Sequence, residues 1–321
     1  MNRKILPVAA MAAFVLAAGA HAQTDYEAGP RALYRALAEQ PHETLRLGGG
    51  EIDVVFADGA PGLDRKPVLD WVRMSAEAVI AYFGRFPVDR VGLLIIAGDG
   101  DRIGGGTTFG HAGSAIRIRV GRSAGGDAFA NDWRMVHEMV HLALPRVVPQ
   151  ESGMWMMEGS AVYVEPIARV LAGHWSEEAV WSDSLDGMPK GQPGPNDGGL
   201  DDHPGWGRSY WGGAIFWLMG DIRIREQTAN RLGLVDALRA INRESGGNGV
   251  EWSEQQVIEA GDKATGTHVL ADLYAKMKDQ PVTVDLDGMF ARLGVARKDG
   301  RVVFDENAPQ ASLRRAITGK S

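Results

Sequence analysis

Cysteine is missing from all 321 residues, which excludes a disulfide framework, thiolate metal sites and an acylated lipoprotein cysteine. Basic runs are missing too, and the formal net charge is −7. A polyanion-binding footprint is therefore absent, so nucleic acid is not an expected partner. Beyond the N-terminus no apolar run is long enough to span a bilayer, and no internal repeat is visible. What remains is an ordinary globular composition, 45% hydrophobic and 23% charged, able to bury a substantial core.

The N-terminus carries Arg3 and Lys4, an apolar run over residues 5–20, and Ala20-His21-Ala22 before Gln23. This order reads as a secretory signal peptide over residues 1–22, cleaved after Ala22. The apolar run falls short of the roughly 20 residues that an uncleaved anchor needs. The mature chain is thus expected to be periplasmic or secreted, without a membrane span. Its stability must come from packing and any bound metal, because an exported chain without cysteines has no disulfides.

Val136-His137-Glu138-Met139-Val140-His141 places two imidazoles four residues apart with a carboxylate between them. On a helix, residues four apart share a face, so His137 and His141 can reach one metal ion. Glu138 lies about 100° round the helix, off the ligand face but within reach of a water at that metal. Zinc hydrolases use three protein ligands and leave a position for water, whose pKa falls to about 7. Glu158 begins the next helix, 17 positions after His141, and is the natural third ligand, while Glu138 is the candidate general base. Two residues beyond, Tyr210 and His203, are candidates to stabilise the oxyanion. Glu165, seven residues after Glu158 on the same helical face, is either a hydrogen-bond partner of a ligating imidazole or a surface carboxylate. Tyr210 has its own plain alternative, an interfacial aromatic beside Trp211.

The flanking patterns give the architecture. Residues 26–45 have helical spacing interrupted by Pro41, 51–56 alternate as a strand, 68–83 read as a helix, and 91–97 form an apolar run of buried-strand length. Residues 99–108, with Gly104-Gly105-Gly106, read as a loop. A phosphate cradle would need a following helix and a lysine, whereas this stretch leads into the alternating residues 114–120. That alternating stretch is expected to be an edge strand, free to pair with an extended peptide. Residues 23–125 are thus an α/β subdomain with a mixed sheet. Residues 126–281 hold a metal helix over 128–144, capped by Asn131 or Asp132, and a second helix over 153–171 on which Gly159 allows the two to approach closely. An irregular stretch over 173–207 follows as a cleft rim, with Trp175, Trp181 and Trp206 as packing anchors. Helices over 210–226, 232–243, 253–260 and 269–277 then form a helical subdomain, and residues 282–321 a small α/β appendage. The fold class expected is α+β.

Three pieces in order resemble the gluzincin zinc metallopeptidases (peptidase MA-like), in particular the aminopeptidase N-like and glycyl aminopeptidase-like families. They are His137-Glu-Met-Val-His141, Trp155-Met-Met-Glu158-Gly-Ser-Ala-Val-Tyr163-Val-Glu165, and Tyr210-Trp-Gly-Gly213-Ala214, which is similar to Y-x-K-G-A. The likeness covers roughly residues 104–243. It implies a thermolysin-like zincin catalytic domain with one Zn2+ per chain on His137, His141 and Glu158. It also implies Glu138 as general base and Tyr210, in preference to His203, as transition-state stabiliser. Gly212 stands where the tyrosine motif has lysine. No G-x-M-E-N segment, whose glutamate binds a substrate's free amine, is present, and the corresponding residues 105–114 contain no acid. The function expected is peptide-bond hydrolysis on a peptide or protein substrate. The alternatives are a catalytically silent module that binds a peptide or envelope partner, and a hydrolase for a non-peptide amide. The intact Glu138 favours catalysis, since binding alone needs no general base.

Overall fold

The computed structural model of the chain describes residues 25–202 and 205–319. The signal-peptide reading over residues 1–22 and the reading of His203 as an electrophile lie outside the described residues. The strands are β1 (His42–Leu47), β2 (Gly50–Phe56), β3 (Arg90–Gly98), β4 (Ile103–Phe109) and β5 (Ala115–Gly121). They form one mixed sheet in the order β1-β2-β3-β5-β4. β2, β3 and β5 run parallel, and the two edges, β1 and β4, run antiparallel to their neighbours. One face buries Ile52, Val54, Leu93, Ile95, Ile116 and Ile118 in the main core. The other buries Val55, Leu94 and Ala115 beneath Leu33 and Ala36 of helix α1 (Pro30–Glu39).

Helix α2 (Arg65–Phe83) covers the main face; the Asp64 side chain accepts from the Lys66 amide at 3.2 Å, and Gly84 ends it at φ 77°. After the short α3 (Gly126–Ala130) comes α4 (Arg134–His141), whose entry is fixed by Asp132 accepting from the Met135 amide at 3.0 Å. The remaining helices are α5 (Gln150–Leu171), α6 (Glu177–Gly187), α7 (Gly213–Gln227), α8 (Leu234–Ser245), α9 (Glu254–Thr265), α10 (Val269–Met277), α11 (Leu286–Leu293) and α12 (Ala311–Ile317). A two-stranded pair, β6 (Arg146–Val147) with β7 (Glu251–Trp252), ties the end of the α4 segment to the helical part. A hairpin, β8 (Val295–Lys298) with β9 (Arg301–Phe304), lies between α11 and α12. Among the described residues no helix is long and apolar enough to cross a membrane.

Six expectations change. The helical stretch expected over 26–45 is α1 alone, and its end beyond Pro41 is strand β1. The metal helix expected over 128–144 is two helices, α3 and α4, broken at residues 131–133. The glycine-rich residues 103–109 are not a loop but β4, the edge strand; the alternating stretch expected at the edge is β5, inside the sheet. The irregular stretch 173–207 contains α6, whose Ser176 caps it by accepting from Ala179. Glu158 sits in the third turn of α5 rather than at its start. Gly159 faces not the metal helix but α7: a β-carbon there would come within 2.4 Å of the Gly213 Cα, and one on Gly213 within 2.1 Å of the Trp155 carbonyl oxygen. Only a glycine pair lets these two backbones cross so closely.

Behind this crossing, buried Asp221 accepts from Tyr163 Oη (2.7 Å), Arg225 Nε (2.7 Å) and the Leu234 amide (2.9 Å), so a buried charge is fully partnered. Gly159→Ala should lower the urea midpoint by the equivalent of about 2–3 kcal/mol, because helix backbones rather than a flexible side chain must give way. An unchanged midpoint would contradict the crossing.

Candidate metal centre

The site is built where α4 meets α5. Residues of α4 four apart point together, and α5 crosses them in its third turn, bringing three donor atoms into one place. His137 Nε2 lies 3.1 Å from Glu158 Oε2, His141 Nε2 lies 3.4 Å from the same oxygen, and the two Nε2 atoms are 3.2 Å apart. These three are the one group among the described residues able to hold a metal ion through histidine, aspartate or glutamate side chains. Donors about 2.0–2.1 Å from zinc at a tetrahedral angle stand about 3.3–3.4 Å from one another, so the observed triangle fits zinc. Two imidazoles with one carboxylate also suit zinc's borderline ligand preference.

The electrostatics favour a cation there. Burial raises the Glu158 carboxyl, but the two imidazoles outweigh it and hold the group well below the usual carboxylate range. Burial depresses the His141 imidazolium, and the charge and hydrogen bond of Glu158 more than reverse this, leaving it raised. A metal-free His141 thus holds its proton more tightly than a free imidazole would.

Glu138 is buried and offset from the ligand face, with its carboxylate against β4. Thr108 Oγ1 donates to Glu138 Oε2 at 2.7 Å, and a β-carbon on Gly106 would come within 2.9 Å of Oε1. β4 must carry glycine at this point for the carboxylate to fit. Thr108 was not singled out by the sequence; its one legible signal is its place two residues after Gly106, on the same face of the strand.

Tyr210 lies in a π-helical turn, Arg208–Gly212, that leads into α7. Its ring stacks on His137, with centroids 6.0 Å apart and planes 6° from parallel. Burial, then the nearby charge of Glu158 and a hydrogen bond to it, push its phenol well above the ordinary value, so it remains a donor at neutral pH. The π turn reaches the centre because Gly213 rests on Gly159.

Glu165 does not approach an imidazole. It is buried and accepts from Arg169 Nη1 at 3.0 Å. Burial pushes its carboxyl up to about 8, against the pull of that guanidinium. Trp181 is buried and Trp175 packs beneath Arg169, but Trp206 is 64% exposed and stacks on Tyr210 at 5.1 Å. Trp133, 41% exposed, packs edge-on against His137 at 5.4 Å. A cleft of about 410 Å³ opens over the centre, lined by β4 and by exposed His111, as well as by Arg146, Met154 and Glu251.

Added zinc should raise the melting temperature of the metal-free protein and bind at one ion per chain, and His141→Ala should abolish both effects. Because zinc must displace the His141 proton, affinity should begin to fall at a pH above the ordinary imidazole value of about 6.5 and keep falling as pH drops. Calorimetry across pH checks this. Zinc affinity independent of pH between about 5 and 8 would contradict the ligand assignment.

No family model matches this sequence, and no curated protein matches it. Among solved structures, the chain is similar to an aminopeptidase N family protein from Idiomarina loihiensis, with a TM-score of 0.58, 16% identity, and coverage of 79% of this chain and 49% of that one. It is also similar to an M1 zinc metallopeptidase from Deinococcus radiodurans, with a TM-score of 0.49, 14% identity, and coverage of 77% and 52%. The chain spans about half the length of these structures. At this identity the first likeness is one of fold alone, the mixed sheet and following helices being arranged as in that aminopeptidase N family protein.

Proposed function

We propose that the chain is a zinc-dependent metallopeptidase that hydrolyses peptide bonds outside the cytoplasm, after loss of its leader. The observation that carries this reading is the triangle of His137, His141 and Glu158 donors with Glu138 held beside it by β4. Zinc bound there supplies Lewis acidity, lowering the pKa of water and polarising a carbonyl.

The chain's own residues do the rest. Glu138 takes a proton from the attacking water as the C–O bond forms. Thr108 keeps its carboxylate turned to the cleft, so the base does not have to be ordered at the moment of reaction. The developing oxyanion takes a hydrogen bond from the Tyr210 hydroxyl, which the raised phenol keeps protonated. Glu138 then returns the proton to the leaving nitrogen as the C–N bond breaks, giving a carboxylate and an amine.

On peptide substrates, Glu138→Gln should cost about 10²–10⁴ in turnover, and Tyr210→Phe about 10²–10³, with zinc retained in both. Thr108→Val removes a hydrogen bond to a charged group, worth about 1.5–3 kcal/mol, and should lower kcat by about 10- to 100-fold with KM little changed. Thr108→Ser should restore most of it. Full activity in Thr108→Val would rule out the positioning role, and full activity in Glu138→Gln would rule out the mechanism.

A further inference from the structure

Resting on the peptidase reading, we infer that the cleft takes an internal stretch of polypeptide and cuts it away from both chain ends. Three features of the cleft carry this. The first is backbone. Among the described residues β4 pairs with β5 alone, so short of Phe109, whose carbonyl accepts from Asn248, its outer edge is a strand edge beside Glu138 to which no further strand is added. An extended segment adding to that edge is held by its own backbone, which is available anywhere along a polypeptide.

The second feature is extent. Asn248 accounts for the direction of the floor: its amide donates to the Leu142 carbonyl at 3.1 Å and its side-chain nitrogen to the Phe109 carbonyl at 3.1 Å. The end of α4 and the end of β4 therefore lie together, and the cleft continues past them to Arg146, Gln150 and Glu251. Outside the cleft lining itself, the partly exposed ring of Trp133 packs edge-on against His137. Trp206 offers a second exposed ring across Tyr210. Surface beside the metal group thus extends along the cleft to Glu251 and onto these two exposed rings.

The third feature is charge. A site that selects a chain terminus must neutralise the terminal charge, since an unpaired buried charge is costly. Three carboxylates line the cleft: Glu138, held by Thr108; Glu158, on the imidazoles; and Glu251, which accepts from Arg146 Nη2 at 2.7 Å. Glu251 is already charge-compensated by Arg146, so an incoming ammonium would meet a neutralised carboxylate there. Arg146 is compensated by Glu251 in turn; its Nη1 has no hydrogen-bond partner but is buried beside Gly110, closed to an incoming terminal carboxylate. Arg134, near Trp133, is likewise matched to Asp132 at 3.4 Å. An internal segment brings no terminal charge and leaves both pairs intact.

The test uses a decapeptide library in two forms, free at both ends and capped by N-acetyl and C-amide groups, with the zinc-loaded full chain. Mass spectrometry should find internal cuts, with capped and free forms cleaved at rates within about twofold. Binding to the Glu138→Gln variant gives a readout that does not depend on turnover: capped and free forms should show the same Kd within about twofold. Release of single residues from one end of the free form, with the capped form resisting by about tenfold or more, would overturn the inference and leave the peptidase reading standing. No cleavage of either form by stoichiometrically zinc-loaded protein would overturn the peptidase reading, and this inference with it.

Discussion

Two imidazole nitrogens and a carboxylate oxygen held within 3.4 Å of one another form the interaction on which the rest of the site depends. Without a metal, that triangle is a compromise: the Glu158 carboxylate is held ionised by the imidazoles against the cost of burial, and His141 binds its proton more tightly in return. With a divalent cation at its centre the same geometry satisfies all three donors. The scaffold around it exists to keep α4 and α5 crossed at this point. Met135, Met139 and Val140 of α4 and Trp155, Met156 and Val164 of α5 are buried in one continuous core with the sheet and α2, so moving the ligands means repacking the core.

Two further elements are tied to the triangle by contacts that tolerate little change. β4 approaches from the sheet edge with glycine at the point of closest contact, and its Thr108 takes hold of Glu138. α7 approaches from the helical side through the Gly159–Gly213 contact, and the π turn at its start delivers Tyr210 to the ring of His137. The base on α4 and the phenol before α7 are therefore set by two separate close approaches, at Gly106 and at Gly159–Gly213.

The metal donors were legible because helical spacing is a local property: His137 and His141 share a face by arithmetic, and Glu158 follows after room for a turn. Tyr210 was legible through the pattern around it. The edge strand was not, since Gly104-Gly105-Gly106 carries no β-propensity and its extended form is imposed by pairing with β5 and by Glu138 lying against Gly106. Thr108 was missed for the same reason, its role existing only once strand and helix are together. Glu165 shares a helical face with Glu158 but lies two turns, about 10 Å, further along α5, where Arg169 rather than an imidazole is its partner. The sequence of α6 was hidden among glycines and tryptophans, with Ser176 as its one clear start signal.

The most direct test of the account is zinc K-edge X-ray absorption on the chain loaded with one equivalent of zinc. The account predicts a four-coordinate centre with two imidazole nitrogens and oxygen ligands at about 2.0–2.1 Å, and loss of one imidazole contribution in His141→Ala. A six-coordinate, all-oxygen spectrum unchanged by that substitution would mean that zinc binds elsewhere, and the account would fail.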